Sequence, residues 1–262
     1  MKKYIITALF CLLPLSAHAQ LSLGSGLVGY WPLDTRDYNT TTSVIDRSGN
    51  GNTGTLTPNT NNQFTSTSTV AGKLGQALKF NGTNSYANIT MNSKLPIYST
   101  TTPYSISFWM KTSSFNSGQV MYNESGGNSQ YFYITLDSTK KVQLNLKNDA
   151  GTKLLNGVTG NTALAAGVWN HIVWTDNVGT AALYINGVKD TANFNYTPAA
   201  TTLTTTRIGN IYSNYYNGSL DDVRVYNRAL SASEVKQLYR QSAGVHSDSF
   251  LDTIMGMIGG IL

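Results

Sequence analysis

Apolar and polar residues alternate along much of this chain. In "YSISFWM", Tyr104, Ile106, Phe108 and Met110 share one side of an extended strand, while Ser105, Ser107 and Trp109 take the other. In "KVQLNLK", Val142, Leu144 and Leu146 fall together on one face. Similar short runs recur: "ALKF", "QVMYNE", "QYFYITL", "NHIVWTD", "AALYING", "TRIGNI" and "LDDVRVY", each bounded by turn residues. Asn186-Gly187, between "AALYI" and "VKDTA", is the strongest hairpin signal, because a type I′ turn needs positive φ at both central residues. Asn81-Gly82 and Asn217-Gly218 mark further turns.

One segment carries a helical period instead. In "SASEVKQLYRQ", Ser231 is an N-cap with Glu234 three residues on, and Val235, Leu238 and Tyr239 form one face. Many strands separated by turns, with one short helix near the C-terminal end, predict an all-β fold: a two-sheet antiparallel sandwich of jelly-roll type. The Thr/Asn/Ser-rich stretch from Thr57 to Val70 reads as a surface loop.

Composition narrows the setting. The chain has 262 residues, 40% of them hydrophobic, enough for one sizeable domain without covalent staples. Charged residues make up only 12%, and the net charge of +5 is scattered rather than clustered, so there is no nucleic-acid footprint. The opening "MKKYIITALFCLLPLSAHAQ" has a basic start, an apolar run too short to span a bilayer, and the small-x-small site Ala17-His18-Ala19. It predicts a signal peptide over residues 1–19 and a secreted, periplasmic or cell-surface protein beginning at Gln20. The single cysteine, Cys11, falls inside that leader, so the mature chain relies on core burial, with or without a metal. The chain thus divides into the leader, a jelly-roll domain over 20–241 and an apolar tail over 242–262, with no transmembrane span.

Four segments, "GLVGYWPLD", "DRSGNGNTGTL", "GKLGQALKFNGTNSYANI" and "NGSLDDVRVYNRALSASEVKQLY", line up with "YSISFWMK", "WNHIVWT" and "ALYINGV". Together they resemble the laminin-G-like jelly roll of the concanavalin A-like lectin/glucanase superfamily over about Leu27 to Tyr239. The resemblance implies pairing of the first and last strands and a structural calcium near them. Calcium takes six to eight oxygen ligands, and Asp34, Asp221, Asp222, Asn50 and Asn52 are the candidate donors. The alternative for the loop "DRSGNGNTGTL" is an ion-free Asx/Gly turn.

Chemistry by catalysis finds little support. Glycosidases need two carboxylates about 5–9.5 Å apart. Glu234 is occupied in the cap, Glu124 sits at a strand end, and Asp46, Asp137, Asp149, Asp176 and Asp190 fall at turns. Neither His171 nor His246 keeps triad or zinc-ligand company. Binding remains. Tyr131 and Tyr133 project from one face of "QYFYITL", and "NIYSNYYNGS" offers Asn210, Tyr212, Asn214, Tyr215 and Tyr216. Aromatic faces stacking on sugar C–H surfaces, with amides bonding hydroxyls, suit a glycan or glycoconjugate. The same residues suit a protein interface, or cover the sandwich edge. Trp31, Trp109, Trp169 and Trp174 read as core. In the tail, Phe250, Leu251, Ile254, Met255, Ile258 and Ile261 form an apolar stripe, so residues 245–262 either dock on their own domain or engage a protein partner, as a structural or adhesion protein would.

Overall fold

The alternating runs become paired strands. The computed structural model describes residues 23–34, 36, 43–57, 68–89, 102–116, 118–126 and 130–241. In chain order these form β1 (Leu27–Trp31), β2 (Ser43–Val44), β3 (Gly54–Thr57), β4 (Thr69–Ala71), β5 (Gln76–Asn81), β6 (Tyr86–Ile89), β7 (Tyr104–Thr112), β8 (Gln119–Ser125) and β9 (Tyr131–Leu136). There follow β10 (Lys141–Lys147), β11 (Lys153–Ala163), β12 (Asn170–Asn177), β13 (Thr180–Ile185), β14 (Val188–Lys189), β15 (Thr205–Ile208), β16 (Asn210–Ile211), β17 (Asn214–Tyr215), β18 (Asn217–Tyr226) and the helix α1 (Ala232–Gln241). The leader and the tail lie outside the described residues, as does most of the stretch read as a loop after Thr57. The end of that stretch is strand, since Thr69 and Val70 pair with β5.

Two eight-stranded antiparallel sheets make the sandwich. Sheet A runs β14-β13-β12-β7-β18-β5-β4, with β1 also on β18, and sheet B runs β11-β10-β9-β8-β15-β6-β3-β2. The first and last strands do pair, Trp31 opposite Val223. Strand β18 changes partners along its length: Asn217 to Leu220 face β5, and Val223 to Tyr226 face β1. A bulge at the changeover breaks the register with β7 between Asp221 and Arg224, and Asp222 takes φ 54° there. The hairpin at Asn186-Gly187 has φ 53° and 78°, the two positive values a type I′ turn requires.

Between the sheets, Ile106, Phe108, Met110, Ile172 and Trp174 meet Phe132, Ile134, Leu144, Leu146 and Ile208. Each large side chain buried there contributes roughly 1.5–3 kcal/mol. Trp174 also donates its indole N–H to the Tyr104 hydroxyl at 2.9 Å, and Trp31 donates to the Asn52 carbonyl at 2.9 Å.

The helix closes the other side of sheet A. Val235 and Leu238 pack with Val173, Ala182, Tyr184 and Tyr226. Its start is the expected capping box: the Ser231 N–H donates to Glu234 Oε2 at 2.9 Å, and the Glu234 N–H donates to Ser231 Oγ at 3.3 Å. Trp109 is buried, but beneath this helix rather than between the sheets; it stacks on His171 (4.8 Å between centroids) and Tyr239 (5.6 Å). Trp169 departs from the core reading. It is partly exposed, with Lys111 Nζ 6.0 Å from its ring, because it lies in the turn just before β12. Among the described residues no helix is long and apolar enough to cross a membrane.

Candidate functional site

The outer face of sheet B is built differently. Strands β6 and β15 alternate buried and half-exposed positions throughout, and β9 and β10 do so at their starts, as a partly uncovered face produces. Register sets its outward residues side by side. Asn145 stands opposite Tyr133, Tyr133 opposite Asn123, Asn123 opposite Arg207, and Arg207 opposite Asn88. One row thus crosses five strands.

Aromatic rings flank the row. Tyr131 and Tyr133 lie 5.1 Å apart, and Tyr86 and Tyr215 lie 6.3 Å apart. The Arg207 guanidinium sits 5.3 Å from the Tyr86 ring, and Lys147 Nζ 5.9 Å from that of Tyr131. Tyr212 is 60% exposed at the tip of the ribbon β16–β17. Burial first, then the nearby Tyr212, pushes the Tyr131 hydroxyl up; Tyr133 is raised by burial, Tyr131 and Tyr212. Tyr212 holds φ 51°, a left-handed backbone that costs a non-glycine residue about 1–2 kcal/mol.

Of the expected binding residues, Tyr131, Tyr133, Tyr212 and Tyr215 therefore gather on one face. Asn214 is exposed on the same ribbon. Asn210 is buried and staples the ribbon: its Nδ2 donates to the Tyr212 carbonyl at 2.9 Å and the Asn214 carbonyl at 3.3 Å. Tyr216 does not belong to the face. Consecutive residues of an extended chain point opposite ways, so Tyr216 turns into the core, fully buried and edge-on to Phe80. Sequence reasoning missed Asn88, Asn123 and Arg207. The Asn123 side chain is fully buried, and among the described residues neither its Nδ2 nor its Oδ1 has a hydrogen-bond partner; Asn88 Oδ1 and Arg207 Nε are likewise buried and unpaired there. Their grouping depends on pairings between strands far apart in sequence.

The carboxylates lie elsewhere. The strands of sheet B contain one acidic residue, Glu124, and it faces inward opposite Phe132, hydrogen-bonded to Tyr122. Burial pushes its carboxyl up to about 7 against the pull of the Tyr122 hydroxyl. Other described acids are engaged in structure: Asp137 with Thr139, Asp149 with Thr202, Asp176 with Tyr196, and Asp190 with Asn161 and Thr162. Asp46 organises the "DRSGNGNTGTL" loop. It accepts from the N–H groups of Tyr30 (2.9 Å), Ser48 (2.8 Å) and Asn52 (2.8 Å). Gly49 and Gly51 supply the positive φ that wraps the backbone round it. Asn50 and Asn52 point their amides at the Leu27 and Val28 carbonyls, at the start of β1, whereas Asp34 follows its end.

Asp34 and Asp221 both brace the turn between β4 and β5, beside the changeover in β18, with Asp222 next in the chain. Asp221 Oδ2 accepts the N–H groups of Lys73 (2.7 Å) and Leu74 (2.9 Å), and Asp34 Oδ1 accepts that of Gln76 (2.6 Å). The turn between β4 and β5 needs its glycines, since a Cβ on Gly72 or Gly75 would lie 2.7 Å from an Asp221 or Asp34 oxygen. Burial above all, with Asp222 and Asp34 adding to it, pushes the Asp221 carboxyl up to about 8, and its Oδ1 is buried without a partner. Asp222 pairs with Arg224 at 3.0 Å, and Asp34 with Arg36 at 3.2 Å. Such an unpaired, buried oxygen among carboxylates fits a hard cation. Among the described residues no three acidic, histidine or cysteine side chains converge as a ready-made metal cluster, so main-chain oxygens would have to complete the shell.

A family model of the concanavalin A-like lectin/glucanases superfamily matches residues 81–236. Among solved structures, domain 4 of a GH43 extracellular arabinanase from Geobacillus stearothermophilus, determined with arabinotriose, superposes with a TM-score of 0.61 at 23% identity, covering 82% of this chain and 98% of that one. The binding domain of Paraclostridial Mosquitocidal Protein 1 gives 0.62 at 23% identity over 83% of this chain and 52% of its own. Trypanosoma rangeli sialidase gives 0.58 at 14% identity over 82% and 32%. The chain thus spans about half of the toxin domain and a third of the sialidase. No curated protein matches it. At these identities the likeness is one of fold.

Proposed function

The chain belongs to the concanavalin A-like lectin/glucanases superfamily, and on that premise we propose that it is a non-catalytic saccharide-binding module acting outside the cytoplasm. The observation that carries this reading is the gathering of Tyr86, Tyr131, Tyr133, Tyr212 and Tyr215 on the outer face of sheet B, beside unpaired amides. Half-buried rings offer flat apolar faces to sugar C–H groups, and amides exchange hydrogen bonds with hydroxyls; both cost little to pre-organise on a rigid sheet. The placement of the acids supports binding without cleavage. A glycosidase needs two carboxylates flanking the bond, and the strands of sheet B offer none on this face. The arabinanase domain determined with a bound oligosaccharide supports the same direction.

Asp34, Asp221 and Asp222, with carbonyls of the Gly72–Gly75 turn, would hold a structural calcium. The ion would neutralise the crowded carboxylates and tie β18 to the β4–β5 turn, leaving the binding face to the other sheet. The leader predicts export. The test is a glycan array with the purified chain: a bound saccharide lost in Tyr212→Ala supports the module, and no signal on any glycan overturns it.

A further inference from the structure

The row beneath the tyrosines carries a charge that stacking on a neutral sugar does not use. Arg36, Arg224 and Arg228 each pair with a carboxylate. Among the described residues Arg207 has none; its Nη1 donates to Asn210 Oδ1, at 3.4 Å, and its Nε is buried and unpaired. Asn123, next to it in register, is fully buried with both amide atoms unpaired, and Asn88, on its other side, leaves Oδ1 unpaired. Unsatisfied buried polar atoms cost about 1–3 kcal/mol each, so four on three adjacent residues call for a partner that brings both acceptors and donors.

We propose that this row is a subsite for a carboxylate-bearing saccharide, a uronic-acid-type residue, with Arg207 and Asn123 receiving the carboxylate. The inference rests on the saccharide-binding reading above and deepens it. A planar guanidinium edge matches a carboxylate through two parallel N–H bonds, and the Asn123 Nδ2 adds a third donor. The Asn88 and Asn123 carbonyl oxygens are left to accept from sugar hydroxyls. The surrounding field agrees: Lys141, Lys147 and Arg207 occupy outward positions of sheet B, and the sheet's only acid, Glu124, faces the core. The ribbon β16–β17 covers the row. It packs against β8 and is paired only to itself, Asn210 with Tyr215 and Ile211 with Asn214, so its tip can lift without breaking either main sheet. The saccharide enters under Tyr212, which then stacks on it.

The test uses an array carrying neutral, carboxylated and sulfated saccharides, followed by titration of the best carboxylated hit and its carboxyl-reduced form. Native protein should bind the carboxylated saccharide at least tenfold more tightly than the reduced one. Arg207→Gln should remove that preference, Arg207→Lys should restore only part of it because the fork is lost, and Asn123→Ala should weaken binding with the melting temperature recorded for each variant. Preference for neutral saccharides, preference for sulfated over carboxylated ones, or an unchanged preference in folded Arg207→Gln would each overturn the carboxylate subsite while leaving the binding module standing. Silence on the whole array would instead overturn the module itself.

Discussion

The two sheets share one pleat and one core, yet their outer faces end in opposite states. On sheet A, β7 and β12 are buried on both sides almost throughout, because α1 lies across them with Val235, Leu238 and Tyr239. Polar groups under the helix find partners in part, as with the Ser107 hydroxyl and His171 Nε2 at 2.9 Å. Burial, with Arg224 adding to it, pushes His171 down to about 3, so it stays neutral at any physiological pH. Among the described residues sheet A also leaves Trp109 Nε1, His171 Nδ1, Arg224 Nε and Tyr226 OH without partners, but on sheet B the unpaired Asn88, Asn123 and Arg207 atoms lie in one row beside half-exposed tyrosines. One face uses its outward residues for closure; the other, on the proposed reading, offers them to a ligand.

The sharpest way to break the contrast is to cut equivalent apolar area from each face. Leu238→Ala removes a buried side chain from the closed face and should cost about 2–5 kcal/mol of stability while leaving saccharide affinity unchanged. Tyr131→Ala, on the half-exposed face, should cost under about 1 kcal/mol of stability and weaken binding by up to about tenfold. Thermal melts and titrations of both variants check the pair. A loss of binding in Leu238→Ala at temperatures where it stays folded would mean that the two faces are not independent.

A second difference lies between the inner and outer sides of sheet B. Glu124 is a carboxyl in the core, raised from 4.5 to about 7 by burial. In the unfolded chain it ionises above pH 4.5, while in the fold it holds its proton to about pH 7, so the native state loses stability as pH rises across that window and levels off above it. The shift corresponds to about 3 kcal/mol. Glu124→Gln, which mimics the protonated form, should flatten this part of the pH–stability curve between pH 5 and 8. A curve of native slope in the variant would remove Glu124 from the account.

How much of this could be read from the chain follows from the range of the forces involved. Local signals carried through: the Ser231–Glu234 cap, the Asn186-Gly187 turn and the alternation in "YSISFWM" all act within a few residues. What alternation does not give is which face is covered. Trp109 sits opposite the core-facing Phe108 and Met110, and only the docking of α1 buries it. Glu124, at the end of "QVMYNE", looks exposed until the register with Phe132 turns it inward. The pair Tyr215–Tyr216 shows the reverse case, where the period-two rule alone could have separated one ring outward from one inward. Asp46 was also legible, since Asp-x-Ser with asparagines and glycines after it is a loop that can order itself round one carboxylate. Arg207 and Asn123 were not, because 84 residues separate them and only the β8–β15 register joins them.

A calcium at the seam of the closed sheet would set that sheet further apart from the open one. If an ion sits among Asp34, Asp221 and Asp222, chelation should lower the melting temperature and added Ca²⁺ should restore it. An ion that binds only the folded state contributes about 2.7 kcal/mol at a hundredfold excess over Kd. Asp221→Asn should abolish the response. Because the site ties β18 to the β4–β5 turn and not to sheet B, saccharide affinity at a temperature well below the transition should not follow the ion. Identical melts with and without chelator would remove the ion.

The smallest expected effect concerns Tyr212. Its left-handed backbone costs about 1–2 kcal/mol, which glycine would avoid, against about 0.5–1 kcal/mol of extra chain entropy that glycine gains when unfolded. Its ring is 60% exposed, so it returns little by burial. Tyr212→Gly should therefore melt within about 1 kcal/mol of the native chain and no lower, while losing saccharide affinity as Tyr212→Ala does. That combination would mean that the ring is held in a strained turn for the sake of what it meets outside the fold. A variant that melts well below the native protein would show instead that Tyr212 belongs to the closure of the sandwich, and the open face of sheet B would then be smaller by its most exposed ring.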